Sequence, residues 1–190
     1  LIVSYITARR RRKYLKGASE THKSEVPVIV VGNLTIGGTG KTPLVKYIAS
    51  ELLSLGYKPG LVSRGYGGKF KETLLVSDKT PVKQTGDEAQ ILATLNLPFY
   101  IDKSRVRAVK AITDNHDCDI IISDDGLQHY KMNRDIEIVV IDGKRRFGNN
   151  LTFPAGPLRE SKARLNSVDF IVNNSGPTDE GEYLMNVSPS

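Results

Sequence analysis

Val28-Ile29-Val30-Val31-Gly32-Asn33-Leu34-Thr35-Ile36-Gly37-Gly38-Thr39-Gly40-Lys41-Thr42-Pro43 decides the fold. The first four residues are all β-branched and stop at Gly32, the pattern of a short strand buried on both faces. From Lys41 the period changes. Leu44, Val45, Ile48, Ala49, Leu52 and Leu55 recur at helical spacing, and Gly56 ends the run. Between strand and helix lies Gly37-Gly38-Thr39-Gly40-Lys41-Thr42. Glycines there let backbone N–H groups approach phosphate oxygens, and a helix N-terminus adds free donors and a positive dipole end. In such a loop Lys41 reaches the β- and γ-phosphates and the Thr42 hydroxyl binds Mg²⁺. The spacing departs from the strict G-x-x-x-x-G-K-[ST] form, since Thr35 stands where the first glycine would fall. The loop is therefore a variant one.

The same alternation continues outward. Short apolar runs at 60–63, 73–76, 99–101, 120–122 and 136–141 predict strands, with Phe170-Ile171-Val172 as the last. Helical spacing covers about 87–95 and 103–113. Strands alternating with helices mean βαβ units and a mostly parallel sheet flanked by helices, a three-layer α/β, P-loop NTPase-like domain. Function then belongs at the carboxyl ends of the strands.

An acidic partner for a metal follows a later strand in Asp119-Ile120-Ile121-Ile122-Ser123-Asp124-Asp125. Adjacent carboxylates disfavour each other's ionisation, and Mg²⁺ between them relieves the repulsion. A solvated Asp-Asp-Gly turn is the plainer alternative. Gly86-Asp87-Glu88 opens a helix, with Asp87 either as N-cap or as a base taking a proton from an attacking hydroxyl. Spacing alone does not separate the two. Arg64, in Ser63-Arg64-Gly65-Tyr66-Gly67-Gly68 after the second strand, is either a phosphate contact or a solvated loop residue. Gln128 and His129 follow the acidic pair and could orient a hydroxyl or a metal-bound water. Cys118 reads as a small buried residue. The sequence contains no Cys/His spacing typical of metal sites and no nucleophile elbow.

The 190 residues suit one domain, and a lone cysteine excludes a disulfide framework. No run approaches a membrane-spanning helix. Of the formal net charge of +6, residues 1–25 carry +5, from Arg9, Arg10, Arg11, Arg12, Lys13, Lys16 and Lys23 against Glu20 and Glu25. The chain divides accordingly into a basic N-terminal segment, 1–25, and a near-neutral nucleotide-binding domain, 26–190. Leu1-Ile2-Val3-Ser4-Tyr5-Ile6 beside the arginines resembles the end of an apolar anchoring stretch, suited to an anionic membrane surface. A nucleic-acid partner is disfavoured because its basic patch would extend over the domain. The chain begins at Leu1 and runs out at Asn186-Val187-Ser188-Pro189-Ser190 soon after a strand, and reads as a fragment.

Five blocks together resemble the tetraacyldisaccharide 4'-kinase (lipid A 4'-kinase) family: residues 31–43, 61–67, 86–89, Asp124-Asp125-Gly126-Leu127-Gln128-His129, and Pro154-Ala155-Gly156-Pro157-Leu158-Arg159-Glu160. The resemblance implies transfer of the γ-phosphate of ATP, with Mg²⁺, to the 4'-hydroxyl of a tetraacyldisaccharide 1-phosphate, the lipid A disaccharide precursor. It also implies a peripheral position on the cytoplasmic face of the bacterial inner membrane. By motif, Gly37, Gly38, Thr39, Gly40, Lys41 and Thr42 would hold ATP, and Asp87 would be the base. Lys41 and Asp125 would complete the catalytic set. Thr42, Asp124 and Glu88 would serve the metal, and Arg64, Gln128, His129 and Arg159 the acceptor. The family supports its base with a histidine from a part beyond this chain, so weak or absent kinase activity is expected of these 190 residues alone. Two rival readings stand beside it. A membrane-recruited nucleotide-switch ATPase is disfavoured by Ile36, where the best-known variant has lysine. A guanine-nucleotide metallochaperone is disfavoured by the lack of an Asn-Lys-x-Asp motif.

Overall fold

The computed structural model describes residues 2–187, without the side chains of Ile2, Val3, Ser4 and Leu15. Leu1 of the expected anchoring stretch and residues 188–190 of the tail lie outside the described residues. In chain order the elements are α1 (Ile2–Leu15), β1 (Val28–Gly32), α2 (Lys41–Ser54), β2 (Pro59–Ser63), β3 (Leu74–Leu75), α3 (Val82–Thr85), α4 (Asp87–Ala93), β4 (Phe99–Ile101), α5 (Arg105–Asn115), β5 (Ile120–Asp124), β6 (Ile136–Asp142), β7 (Phe170–Asn174) and β8 (Glu182–Met185). A short 3₁₀ turn, Lys162–Ser167, precedes β7.

The strands form one sheet in the order β3-β4-β2-β5-β1-β6-β7-β8. Every pairing is parallel except that of β3, which runs antiparallel on the edge against β4. β1 is fully buried between β5 and β6, in keeping with its first four residues all being β-branched. Its side chains alternate between two cores. Val28 and Val30 join Ala108, Val109 and Ile112 of α5 on one face. Ile29 and Val31 join Leu44, Val45 and Ala49 of α2 and Ala89, Leu92 and Ala93 of α4 on the other. Each buried Val, Leu or Ile among them contributes roughly 1.5–3 kcal/mol by leaving water. The result is the three-layer α/β arrangement read from the alternation.

Two expectations are corrected. The sheet does not end at Phe170: β8 follows, paired parallel to β7. It has four residues, none β-branched, with Tyr183 and Leu184 60% and 58% exposed, so it carries no buried-strand signature. Asp87 is not the N-cap of α4. Gly86 is, and Asp87 is the first helical residue. Gly86 sits at φ 83°, ψ 160°, and a Cβ there would run into the Tyr66 carbonyl, so the position selects glycine.

From β1 the chain moves toward β5, β2 and β4 on one side, while β6, β7 and β8 continue on the other. The sheet thus switches direction at the carboxyl end of β1. This is where open α/β sheets form a crevice for ligands.

Candidate functional site

The glycine loop occupies that crevice. Asn33, wholly buried just past β1, donates its side-chain amide to the Gly37 carbonyl (3.2 Å) and to Thr39 Oγ1 (3.3 Å). Gly37 and Gly40 have φ of 104° and 89°. At Gly40 a Cβ would also overlap the Asn174 amide, so glycine is required there twice over. The strand-like segment before Arg159 closes the loop from outside. Ile36 N–H donates to the Pro157 carbonyl (2.8 Å), and Arg159 N–H to the Leu34 carbonyl (2.6 Å).

Lys41 opens α2 with only 7% exposure, and its Nζ lies 3.5 Å from Asp125 Oδ1. Arg159 grips the same carboxylate at 2.9 and 3.1 Å. Asp125 takes φ 50°, a left-handed turn that aspartate tolerates and that points the chain out of β5. Burial pushes its carboxyl upward, but Lys41, Arg159 and Arg105 outweigh this and hold it below the ordinary carboxylate range.

Asp124 differs. It is 2% exposed, and its Oδ1 is buried without a hydrogen-bond partner. Its carboxyl is raised to about 6, chiefly by burial; Lys41 and Arg105 pull it down, and Asp125 and Glu88 add to the rise. Glu88 therefore comes within electrostatic reach of Asp124. Thr42 is half-buried on the first turn of α2, and Asp87 and Glu88 are exposed at the start of α4. Among the described residues no group of three or more His, Cys, Asp or Glu closes on a common point as a ligand cage. The orphaned oxygen of Asp124 fits a site completed by phosphate, water and the Thr42 hydroxyl, as Mg²⁺ sites usually are.

Beside Asp125 opens a cavity of about 320 Å³ lined by Arg10, Arg64, Lys103, Arg105 and Arg159, with Gln128 and His129 in its wall. Five cations face one carboxylate. Arg105 is 2% exposed and donates to the carbonyls of Asp102, Asp124 and Asp125 at 3.3, 3.1 and 3.0 Å, which fixes the end of β5. Burial lowers it to about 10, with Asp125 and Asp124 raising it, so it stays charged at neutral pH. His129 is lowered to about 4 by burial and then by Arg105, Arg134, Arg10 and Arg64, and is neutral at pH 7. Its Nε2 is buried without a partner. Gln128 donates to the Asn33 carbonyl (3.1 Å), joining the cavity wall to the glycine loop.

The structure thus gathers Lys41, Asp124, Asp125, Arg64, Gln128, His129 and Arg159 around one crevice, with the helix of Asp87 and Glu88 on the adjoining loop. Arg10, Arg105, Lys103 and Asn33 were not singled out from the sequence. Arg105 carried one signal, a cation at the first position of a helix where the dipole disfavours it. Arg10 arrives because α1 docks on the domain, through Arg11 Nη2 to Ser167 Oγ (2.7 Å) and Tyr14 stacked on Tyr130 with ring centroids 6.0 Å apart.

The family model of LpxK, tetraacyldisaccharide-1-P 4'-kinase, matches residues 1–188. The tetraacyldisaccharide 4'-kinase of Vibrio campbellii is 48% identical, across 100% of this chain and 57% of the relative. That of Psychromonas ingrahamii is 52% identical, across 93% of this chain and 56% of the relative. Among solved structures, the "apo" form of LpxK from Aquifex aeolicus in complex with ATP superposes with a TM-score of 0.86 at 31% identity, covering 97% of this chain and 61% of that one. The chain spans a little over half the length of the curated relatives it matches. The family model, the curated relatives and the solved structure agree, and the chain belongs to the tetraacyldisaccharide-1-P 4'-kinase family.

Proposed function

We propose that the protein carrying this chain transfers the γ-phosphate of ATP to the 4'-hydroxyl of a tetraacyldisaccharide 1-phosphate. The observation that carries this reading is the pairing of a buried lysine at a glycine-loop helix start with Asp125, beside an unpartnered buried Asp124. Family membership supports the choice of acceptor.

Phosphoryl transfer depends mainly on positioning and on charge stabilisation. The loop N–H groups and Lys41 would hold the β- and γ-phosphates. Asp124, with Thr42 and an outer contact from Glu88, would hold Mg²⁺, which supplies charge neutralisation between the phosphates. Asp87, exposed at the start of α4 on the loop adjoining the crevice, would accept the proton of the attacking hydroxyl. Arg64, Arg159, Gln128 and His129 would orient the acceptor, whose own phosphate suits the cationic cavity.

No helix among the described residues is long and apolar enough to cross a membrane. Away from the cavity that Arg10 lines, α1 presents exposed Arg9, Arg12 and Lys13 with exposed Tyr5 and Ile6. This supports peripheral binding to an anionic surface at the cytoplasmic face of the inner membrane.

ATP labelled at the γ position, incubated with the lipid acceptor in vesicles, tests the reading. Label in the lipid, abolished by Lys41→Ala and cut by orders of magnitude by Asp87→Ala, is the expected result. Free phosphate without labelled lipid would replace it with the nucleotide-switch reading.

A further inference from the structure

Three successive carbonyls of the glycine loop are each held by a side chain anchored outside the loop's glycines. Gly37 O accepts from Asn33 Nδ2 (3.2 Å), Gly38 O from Arg145 Nη2, and Thr39 O from Asn174 Nδ2 (3.2 Å). A peptide unit is planar, with its C=O and the following N–H pointing in opposite directions. Fixing those three carbonyls therefore fixes the N–H vectors of Gly38, Thr39 and Gly40, the donors that a phosphate would meet.

The two outer holders are themselves braced. Arg145 follows β6, and Asp142 at the end of that strand accepts from Arg145 Nε (2.5 Å) and from the Arg145 N–H (2.9 Å). Asn174 ends β7. Its Oδ1 accepts from Ser175 Oγ (2.9 Å), which orients the amide so that Nδ2 faces Thr39. Its neighbour Asn173 is wholly buried and donates to Glu182 of β8 (2.8 Å), tying the brace to the last strand. Gly37 and Gly38 are themselves exposed.

We propose that Arg145 and Asn174 are positioning residues that hold the loop's amide donors in their phosphate-binding directions before nucleotide arrives, and so set nucleotide affinity. They act through the loop backbone, on the face away from the ligand. Without them the loop would have to order on binding, which weakens affinity without altering the contacts finally made. The inference rests on the reading that this loop binds nucleotide phosphates.

Titration calorimetry with MgATP tests it on the full chain, using Arg145→Ala, Arg145→Lys and Asn174→Ala. The expected result is about tenfold weaker binding for each alanine variant, recovery to within about threefold in Arg145→Lys, and melting temperatures without nucleotide close to the parent's. Losses should persist in 0.5 M NaCl, because a braced backbone is not screened as a free charge is. Unchanged affinity, a loss matched by an equal fall in nucleotide-free stability, or an Arg145→Ala loss that vanishes in high salt overturns the proposal. If the parent chain itself binds no MgATP, the nucleotide-binding reading fails instead.

Discussion

Replacing Asp124 by asparagine should stabilise the protein in the absence of metal while removing its response to Mg²⁺. The carboxyl is 2% exposed, has an oxygen without a hydrogen-bond partner, and is raised from its ordinary value of 3.8 to about 6. A raised carboxylate is destabilising once ionised. Its penalty is absent below pH 3.8, grows as pH rises from 3.8 through 6, and is complete above that. Two units at 1.36 kcal/mol each give about 3 kcal/mol at pH 8. For a chain of this size that corresponds to a rise of about 6–12 °C in Tm for Asp124→Asn. The assay is thermal unfolding of parent and variant in metal-free buffer from pH 4 to 8, read as the difference between them. His129, which titrates in the same range with the opposite slope, is common to both proteins and drops out of that difference. The advantage of the variant should be largest at pH 8 and fade toward pH 4. Saturating Mg²⁺ should then raise the Tm of the parent and leave the variant where it was. A variant that melts at or below the parent at pH 8 without metal would refute the reasoning.

Gly40→Ala forces a Cβ into the Asn174 amide at φ 89°, and strain plus a lost hydrogen bond of about 1 kcal/mol each should weaken MgATP binding at least tenfold; calorimetric affinity within threefold of the parent would contradict this. Glu182 is pushed up by burial but held at about 2 by hydrogen bonds from Arg146, Asn173 and the Asp179 N–H. Its stabilisation is present above pH 4.5 and lost as pH falls toward 2, so Glu182→Gln should cost about 2 kcal/mol at pH 7; a deficit in denaturant titrations that does not shrink below pH 4.5 would show that the charge is not responsible. Arg9, Arg12 and Lys13 are exposed on α1, and changing all three to alanine should lower partitioning onto anionic vesicles about 100-fold at roughly 1 kcal/mol per charge; equal sedimentation with neutral and anionic vesicles would count against a membrane role for this helix.

The part of the fold legible in the sequence is the part whose causes are local. β1, the loop and α2 follow from a β-branched run, a glycine cluster and an apolar stripe, each complete within a dozen residues. Asp124 and Asp125 are legible for the same reason, since they end a strand whose three preceding apolar residues announce it. β8 is illegible because its strand state is imposed by pairing with β7 and by the Glu182 contacts to Arg146 and Asn173, while Tyr183 and Leu184 face solvent. Asp87 was placed at the right helix start but one position off. Aspartate is the better capping residue in isolation, whereas the Tyr66 carbonyl makes Gly86 the only residue that fits the cap. Arg105 and Arg10 reach the cavity only through tertiary docking, Arg105 by turning back onto the end of β5 and Arg10 by riding on a helix that stacks Tyr14 on Tyr130.

The adjacent carboxylates, equivalent in sequence, are shifted in opposite directions, and their neighbours account for the difference. Asp125 is turned out of β5 into contact with two cations, so its charge is already neutralised. Without it Lys41 and Arg159 would face each other across the crevice with nothing between them. Asp124 stays in the strand, where Lys41 acts on it only at a distance and Asp125 and Glu88 oppose its ionisation. A divalent cation would therefore gain most from Asp124, while Asp125 keeps the lysine of the loop aligned with the arginine of the cavity. The left-handed turn at Asp125 creates this division, because it lets one residue leave the buried strand end that the other must occupy. Exchanging their roles would require moving that turn by one residue, and the Arg105 bonds to both carbonyls hold it in place.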